Sequence, residues 1–161
     1  MVCSESRTEP SAARSALPGE DPVLASLDEA HRAERALARE AAAAGLPAAD
    51  TIRALSRSIA ADIRSPGSRG SLFLHAAAER PGPGHPAHPA VVAHRRWLLD
   101  TVAQLLARIR ETPAEAAARQ FVMLCDGAMV AGCLSDPVAA GEDFLRAVEA
   151  LLHAHAASVF R

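Results

Sequence analysis

The chain has 161 residues, half of them apolar, with only 3% aromatic residues and a formal charge of −2. That length suits one domain with a single core. The near-balanced charge lacks the basic stripe with which a general nucleic-acid binder neutralises phosphates. Much of the apolar share is alanine, the best helix former and a poor strand former, so closely packed helices are expected rather than a sheet.

Lysine is absent and all 17 basic residues are arginine, a bias that says more about GC-rich coding than about function. Cys3, Cys125 and Cys133 form no CxxC pair. Cys125 and Cys133 would stand about 12 Å apart along a helix, too far for a disulfide. Buried reduced thiols in a cytoplasmic protein are expected. No run of 18 apolar residues suggests a membrane span, and Met1 to Leu17 lacks the apolar centre of a signal peptide.

Residues 1–19 are polar, carry no helical period and end in Pro18 and Gly19, which reads as a disordered leader ahead of a domain over 20–161. Asp21 then offers a cap, Pro22 suits a first helical position, and Gly45 with Pro47 makes a stop, predicting a long helix from Pro22 to Ala44. Val23, Leu24 and Leu27 give it an apolar start, and Asp28 with Arg32 an i,i+4 pair on its exposed face. In "ADTIRALSRSIAADIRS" the stripe Ile52, Leu55, Ile59 and Ile63 predicts a second amphipathic helix, ended by Pro66 and Gly67. "SLFLHAAAE" reads as a short third helix, with a strand over Leu72 to Leu74 as the rival.

The loop Arg80 to Pro89 contains four prolines and cannot continue that helix. Val91, Leu98, Val102, Leu105 and Ile109 place a long helix after it. Thr112, Pro113 and Glu115 read as N-cap, first position and capping box of a fifth helix that runs to about Leu134 and stops near Asp136 and Pro137. A last helix, Ala139 to Ser158, aligns Phe144, Val148, Leu151, Leu152 and His155. In the fifth helix Gly127, Ala128, Ala131 and Gly132 form two overlapping small-xxx-small pairs, which fit close approach of another helix, from the same chain or from a second copy.

The segment "SPGSRGSLFLHAAAERPGPGHPAHPAVVAHRRWLLDTVAQLL", with "EAAARQFVMLCDGAMVAGCL" downstream, resembles the C-terminal regulatory domain of TetR/AcrR-family transcriptional regulators. A subgroup of that family carries a helix of the type "RGCLFLNAAAE", a loop of the type "DHPVR", a tryptophan-bearing helix and an "LLDGA" helix. The counterparts here are Arg69 to Glu79, His85 to His88, Trp97, and Leu124 to Ala128; "VLASLDEAHRA", Val23 to Ala33, is similar to the helix that links head and regulatory domain. The resemblance implies an all-α fold of about six helices, a homodimer paired through its last two helices, and a pocket for a small lipophilic effector, with no metal and no cofactor. Family members also begin with a three-helix head ending in a "YxHFxxKxxL" type segment. This chain has no tyrosine and its first 19 residues show nothing of the kind, so by itself it is not expected to bind operator DNA.

From these readings the expected pocket lining is Phe73, Leu74, Trp97, Phe121 and Met129, with His75 or His94 as a polar handle. The expected dimer interface is Phe121, Leu124, Gly127, Ala128, Ala131, Gly132, Phe144, Val148, Leu151 and Leu152. Asp126, among apolar neighbours, stands out as a carboxylate in need of a partner. His75, His85, His88 and His94 invite a metal reading, but no HExxH or helical i,i+4 pair orders them, so loop and cap roles are preferred. The absence of GxSxG, a phosphate loop or paired carboxylates leaves no enzymatic motif. Two alternatives stand beside the sensing module: an interaction protein that heterodimerises with a complete relative, and a small His-dependent metal-binding protein.

Overall fold

A computed structural model describes residues 22–65, 72–79, 82, 84–111 and 113–157. Among them all regular structure is helical: α1 (Pro22–Ala43), α2 (Ala48–Arg64), α3 (Leu72–Glu79), α4 (Ala87–Ile109), α5 (Glu115–Leu134) and α6 (Pro137–Ala157). The leader over 1–19, Asp21 and Thr112 lie outside the described residues, as does Cys3.

Local chemistry sets most helix ends. Gly45 adopts φ +69° and closes α1, its N–H donating to the Ala42 carbonyl (3.0 Å) while Leu46 N–H reaches the Ala41 carbonyl (3.1 Å). This is the paired 5→2 and 6→1 pattern that glycine permits because it has no Cβ to strain a left-handed residue. Leu72 to Leu74 are helical, so the rival strand does not form. α4 begins at Ala87, inside the predicted proline loop; Pro89 falls in its first turn, where a missing N–H costs no helical bond.

Two junctions differ from the sequence reading. α5 starts at Glu115, with Ala114 as its N-terminal flanking residue, so Pro113 precedes the helix instead of opening it. Asp136 and Pro137, expected to end α5, start α6: Asp136 Oδ1 accepts from Val138 N–H (2.8 Å) and Ala139 N–H (3.4 Å). The aspartate is an N-cap and the proline sits at the first helical position, a pairing that reads equally well as a stop and as a start. Arg32 also departs from expectation, since its Nε donates to the Asp28 backbone carbonyl (3.1 Å) rather than to a carboxylate.

The helices enclose two apolar clusters. The larger joins α2, α4, α5 and α6 around Ile52, Leu55, Leu106, Phe121 and Val148, all but inaccessible to solvent. The smaller packs Leu27 of α1, Phe73 and Ala76 of α3 and Ala87 of α4. His155 Nε2 donates to the Leu106 carbonyl (3.0 Å) and ties α6 to the end of α4. Arg53 on α2 grips Glu149 on α6 through Nε and one terminal nitrogen, at 2.7 and 2.9 Å. Both side chains are about a third or more exposed, so the pair fixes register more than it stabilises.

The glycine pattern of α5 divides between two roles. A Cβ on Gly132 would stand 2.6 Å from Ile63 Cγ2, so this glycine lets α5 cross α2 within the chain, whereas a Cβ on Gly127 would meet nothing within 4 Å. Gly132→Ala is expected to destabilise the fold by roughly 1–3 kcal/mol, the usual cost of overpacking. Gly127→Ala should be neutral or stabilise by up to about 1 kcal/mol through helix propensity. Urea unfolding of the two variants tests the contrast, and equal effects would contradict it.

Candidate functional site

A cavity of about 300 Å³ lies where the two apolar clusters fail to meet. Its walls follow from helical spacing. Val91, His94, Arg95 and Leu98 of α4 are at i, i+3, i+4 and i+7, and Val122, Cys125, Asp126 and Met129 of α5 repeat the same interval. α3 adds Phe73, Leu74 and Ala77, α2 adds Ile59, and α1 adds Glu34. The lining is mostly apolar with a few polar groups, as in small-molecule sites generally.

The polar groups are unusual in their company. His94 is buried, with its ring stacked on Phe73 at a centroid distance of 3.5 Å and an interplanar angle of 6°. Its Nδ1 lies 3.2 Å from Nδ1 of His31 on α1, so one of the two rings donates and the other accepts. Trp97 stands edge-on to His31 at 5.2 Å. On the other side of His94, Nε2 is 3.8 Å from Glu34 Oε2.

Burial sets the charge state of this cluster. Desolvation, with smaller contributions from His31 and Arg95, pushes His94 down to about 4, and burial also lowers His31. Desolvation and the charge of Asp62 push Glu34 up to about 7. Near neutral pH His94 is therefore neutral and Glu34 only partly ionised, so their approach is not an ion pair. At the rim, Arg95 and Asp126 form a two-bond ion pair of 3.1 and 2.7 Å that joins α4 to α5. Asp126 thus has the partner its apolar sequence neighbourhood called for, although its side chain is about a third exposed rather than buried.

Neither the family models nor the curated proteins contain a match to this sequence. Among solved structures, the crystal structure of a TetR-family transcriptional regulator from Streptomyces coelicolor is similar over 83% of this chain and 71% of that one, at 50% identity and a TM-score of 0.77. The chain belongs to the TetR family.

In this TetR-family chain, Phe73, Leu74, His94 and Met129 of the expected lining do line the cavity. Trp97 lies outside it against the His31 ring, Phe121 is fully enclosed in the larger core, and His75 is exposed on α3. The loop histidine His85 takes a capping role, its Nδ1 accepting from Ala87 N–H at 3.1 Å. Among the described residues no group of three or more His, Cys, Asp or Glu side chains is placed to hold a metal. Cys125 is buried and free, and Cys133, expected to be buried, is exposed and free.

Sequence reasoning missed His31, Glu34, Arg95 and Ile59. For α1 a signal existed: Leu27, His31, Glu34 and Ala41 fall on one face at helical intervals, so the charged string "DEAHRAERA" is not uniformly a solvent face.

Of the residues expected at a dimer interface, Phe121, Phe144, Val148 and Leu152 are buried within the protomer and Gly132 is occupied by the crossing with α2. Leu151 is also buried in the core but borders a shallow apolar groove between α5 and α6. Leu124, Gly127, Ala128 and Ala131 line the same groove, with Met123, Ala147 and Ala150. Met123 is 68% exposed and Leu134 82%.

The two neutralised groups have opposite linkage. Between pH 4.5 and 7 folded Glu34 keeps a proton that the unfolded chain has released, so its contribution falls as pH rises. Between about 4 and 6.5 the unfolded chain binds a proton that folded His94 does not, so that contribution rises with pH. The two offset each other in the intact chain. Glu34→Gln should therefore unmask stability that climbs from pH 4 to 6.5, and His94→Gln stability that declines from pH 4.5 to 7, by up to about 3.5 kcal/mol each at roughly 1.4 kcal/mol per pKa unit. Denaturant titrations across this range measure both slopes, and identical slopes in the two variants would contradict the assignment.

Proposed function

We propose that this chain is the effector-sensing and pairing part of a TetR-family transcriptional regulator, and that the cavity between α1, α3, α4 and α5 binds a small, mostly apolar molecule. The observation that carries this reading is the position of the cavity. It sits between two cores, and α1, which contributes Glu34 to its wall and is held by Leu27 and His31 on one side, closes it. A ligand that makes different contacts with two positions of α1 shifts the balance between them, which is the energetic requirement for a sensor.

The pairing role rests on the apolar groove of α5 and α6. Met123, Val130, Leu134 and Val138 are exposed on these two helices. Apolar side chains clustered on one face favour a protein partner, and a second copy of this chain supplies a self-complementary one. We assign DNA reading to none of the six described helices, whose arginines are scattered and in part already engaged by carboxylates. The reading is that of a non-catalytic cytoplasmic regulator.

The test uses the neutral fluorophore N-phenylnaphthylamine, which brightens in apolar surroundings. It should bind once per protomer, and Ala77→Trp, which fills the cavity from α3, should abolish the signal while leaving subunit number unchanged. In the same preparation native mass spectrometry should show a dimer that Met123→Arg converts to a monomer of unaltered helix content. Undiminished dye binding in Ala77→Trp would contradict the cavity reading, and a monomeric intact chain would contradict the pairing reading.

A further inference from the structure

The effector reading leaves one group in the cavity unexplained. Glu34 is four-fifths enclosed, it lines the cavity, and His94 Nε2 stands 3.8 Å from its Oε2, beyond hydrogen-bonding distance. A buried carboxyl without a donor is costly, and its ionised form more so, unless something binds it. Among the described residues, the elements around the cavity offer it no committed donor. α4 presents His94 and Arg95, and the two terminal nitrogens of Arg95 are committed to the two oxygens of Asp126 on α5. α5 otherwise presents the Cys125 thiol, which burial keeps protonated. α2 places Asp62 near enough to act on Glu34, and its charge opposes ionisation. α3 contributes only Phe73, Leu74 and Ala77.

A group that suits this lining is a cation small enough for the cavity and apolar elsewhere. We infer that the effector site accepts a lipophilic amine, its protonated nitrogen held by the Glu34 carboxylate and its hydrocarbon part against Phe73, Leu98, Val122 and Met129. The site is poorly suited to an organic anion, because the one cation on its wall is already neutralised by Asp126 and a further negative charge would face Glu34 and Asp62. It is suited to an ammonium group, which gains a carboxylate and the negative potential of Asp62 while replacing no existing hydrogen bond of Glu34.

The inference rests on the effector reading and adds a proton balance to it. A neutral Glu34, the form favoured by burial near pH 7, gives its proton to solvent when the ammonium ion enters, and the amine arrives and stays protonated. Amine affinity therefore weakens as pH falls below about 7, whereas a neutral ligand of the same shape shows no such dependence. His94, the nearest group, titrates lower, at about 4, burial and Arg35 lower His31, the ion pair with Asp126 keeps Arg95 charged, and burial keeps the Cys125 thiol protonated.

The test is isothermal titration calorimetry of the full chain with three probes of one shape: phenylbutylamine, phenylbutanol and phenylbutyrate. At pH 8 the amine should bind at least about tenfold more tightly than the alcohol, with the acid weakest. At pH 6 the amine alone should lose about tenfold and release a proton, seen as a heat that depends on the buffer. Glu34→Gln should bring the amine to the level of the alcohol, and an unchanged far-ultraviolet circular dichroism spectrum shows that the variant is folded. Alcohol or acid binding the intact chain as well as the amine overturns the inference while leaving the effector reading intact, and so does an amine preference that survives Glu34→Gln. Failure of all three probes to bind at millimolar concentration overturns both.

Discussion

The contact on which this architecture turns is the ring of His94, stacked on Phe73 and touching His31 and Glu34. Three helices meet there. α4 supplies the ring, α3 the apolar plate beneath it, and α1 the two polar groups beside it. Because this cluster is polar but sheltered, α1 cannot slide without breaking a histidine–histidine hydrogen bond or exposing the stack. α1 buries Leu27 and Ala41, packs Val23, Leu24 and Ala30 against the smaller cluster and Leu37 and Ala38 against the larger, and so bridges the two. An element that spans both cores beside the cavity is placed to respond to a ligand there, as the proposed function requires.

The rest of the domain forms a frame around that wall. α2, α4, α5 and α6 share one continuous core, crossed closely at Gly132 and Ile63 and tied by the hydrogen bond from His155 to the Leu106 carbonyl. The second, smaller core under α1 and α3 is not continuous with it, and the mismatch is the cavity. Alanine-rich helices contribute to this: their short side chains permit close crossings where they face each other and leave space where they do not. α5 borders both the cavity and the α5–α6 groove, and α1 borders the cavity, so the proposed sensing and pairing roles meet on α5.

Most of the helical plan was legible in the sequence, for physical reasons that can be named. Gly45 and Pro47 end α1 because local chemistry alone decides such an end, and the stripe Ile52, Leu55, Ile59 and Ile63 buries as its spacing requires. Asp136 and Pro137 misled because a cap-and-proline pair punctuates the chain without saying which side is helical. The small-residue pattern of α5 showed that backbones approach closely, but spacing cannot tell a partner within the chain from one outside it, and the structure uses Gly132 for the former. The cavity was half legible. Phe73, Leu74, His94 and Met129 were reached through the family resemblance, whereas His31 and Glu34 sit in a string of charges whose inward face only tertiary packing reveals.

A sensor of the proposed kind requires α1 to respond to occupancy of the cavity. Hydrogen–deuterium exchange of backbone amides, followed peptide by peptide with and without saturating N-phenylnaphthylamine, tests it most directly. Slowed exchange in the Leu27 to Leu37 part of α1, together with α3 and the facing turns of α4, is the result this account predicts. Protection confined to the α5–α6 groove, or an α1 whose exchange does not change while the ligand is bound, would contradict it.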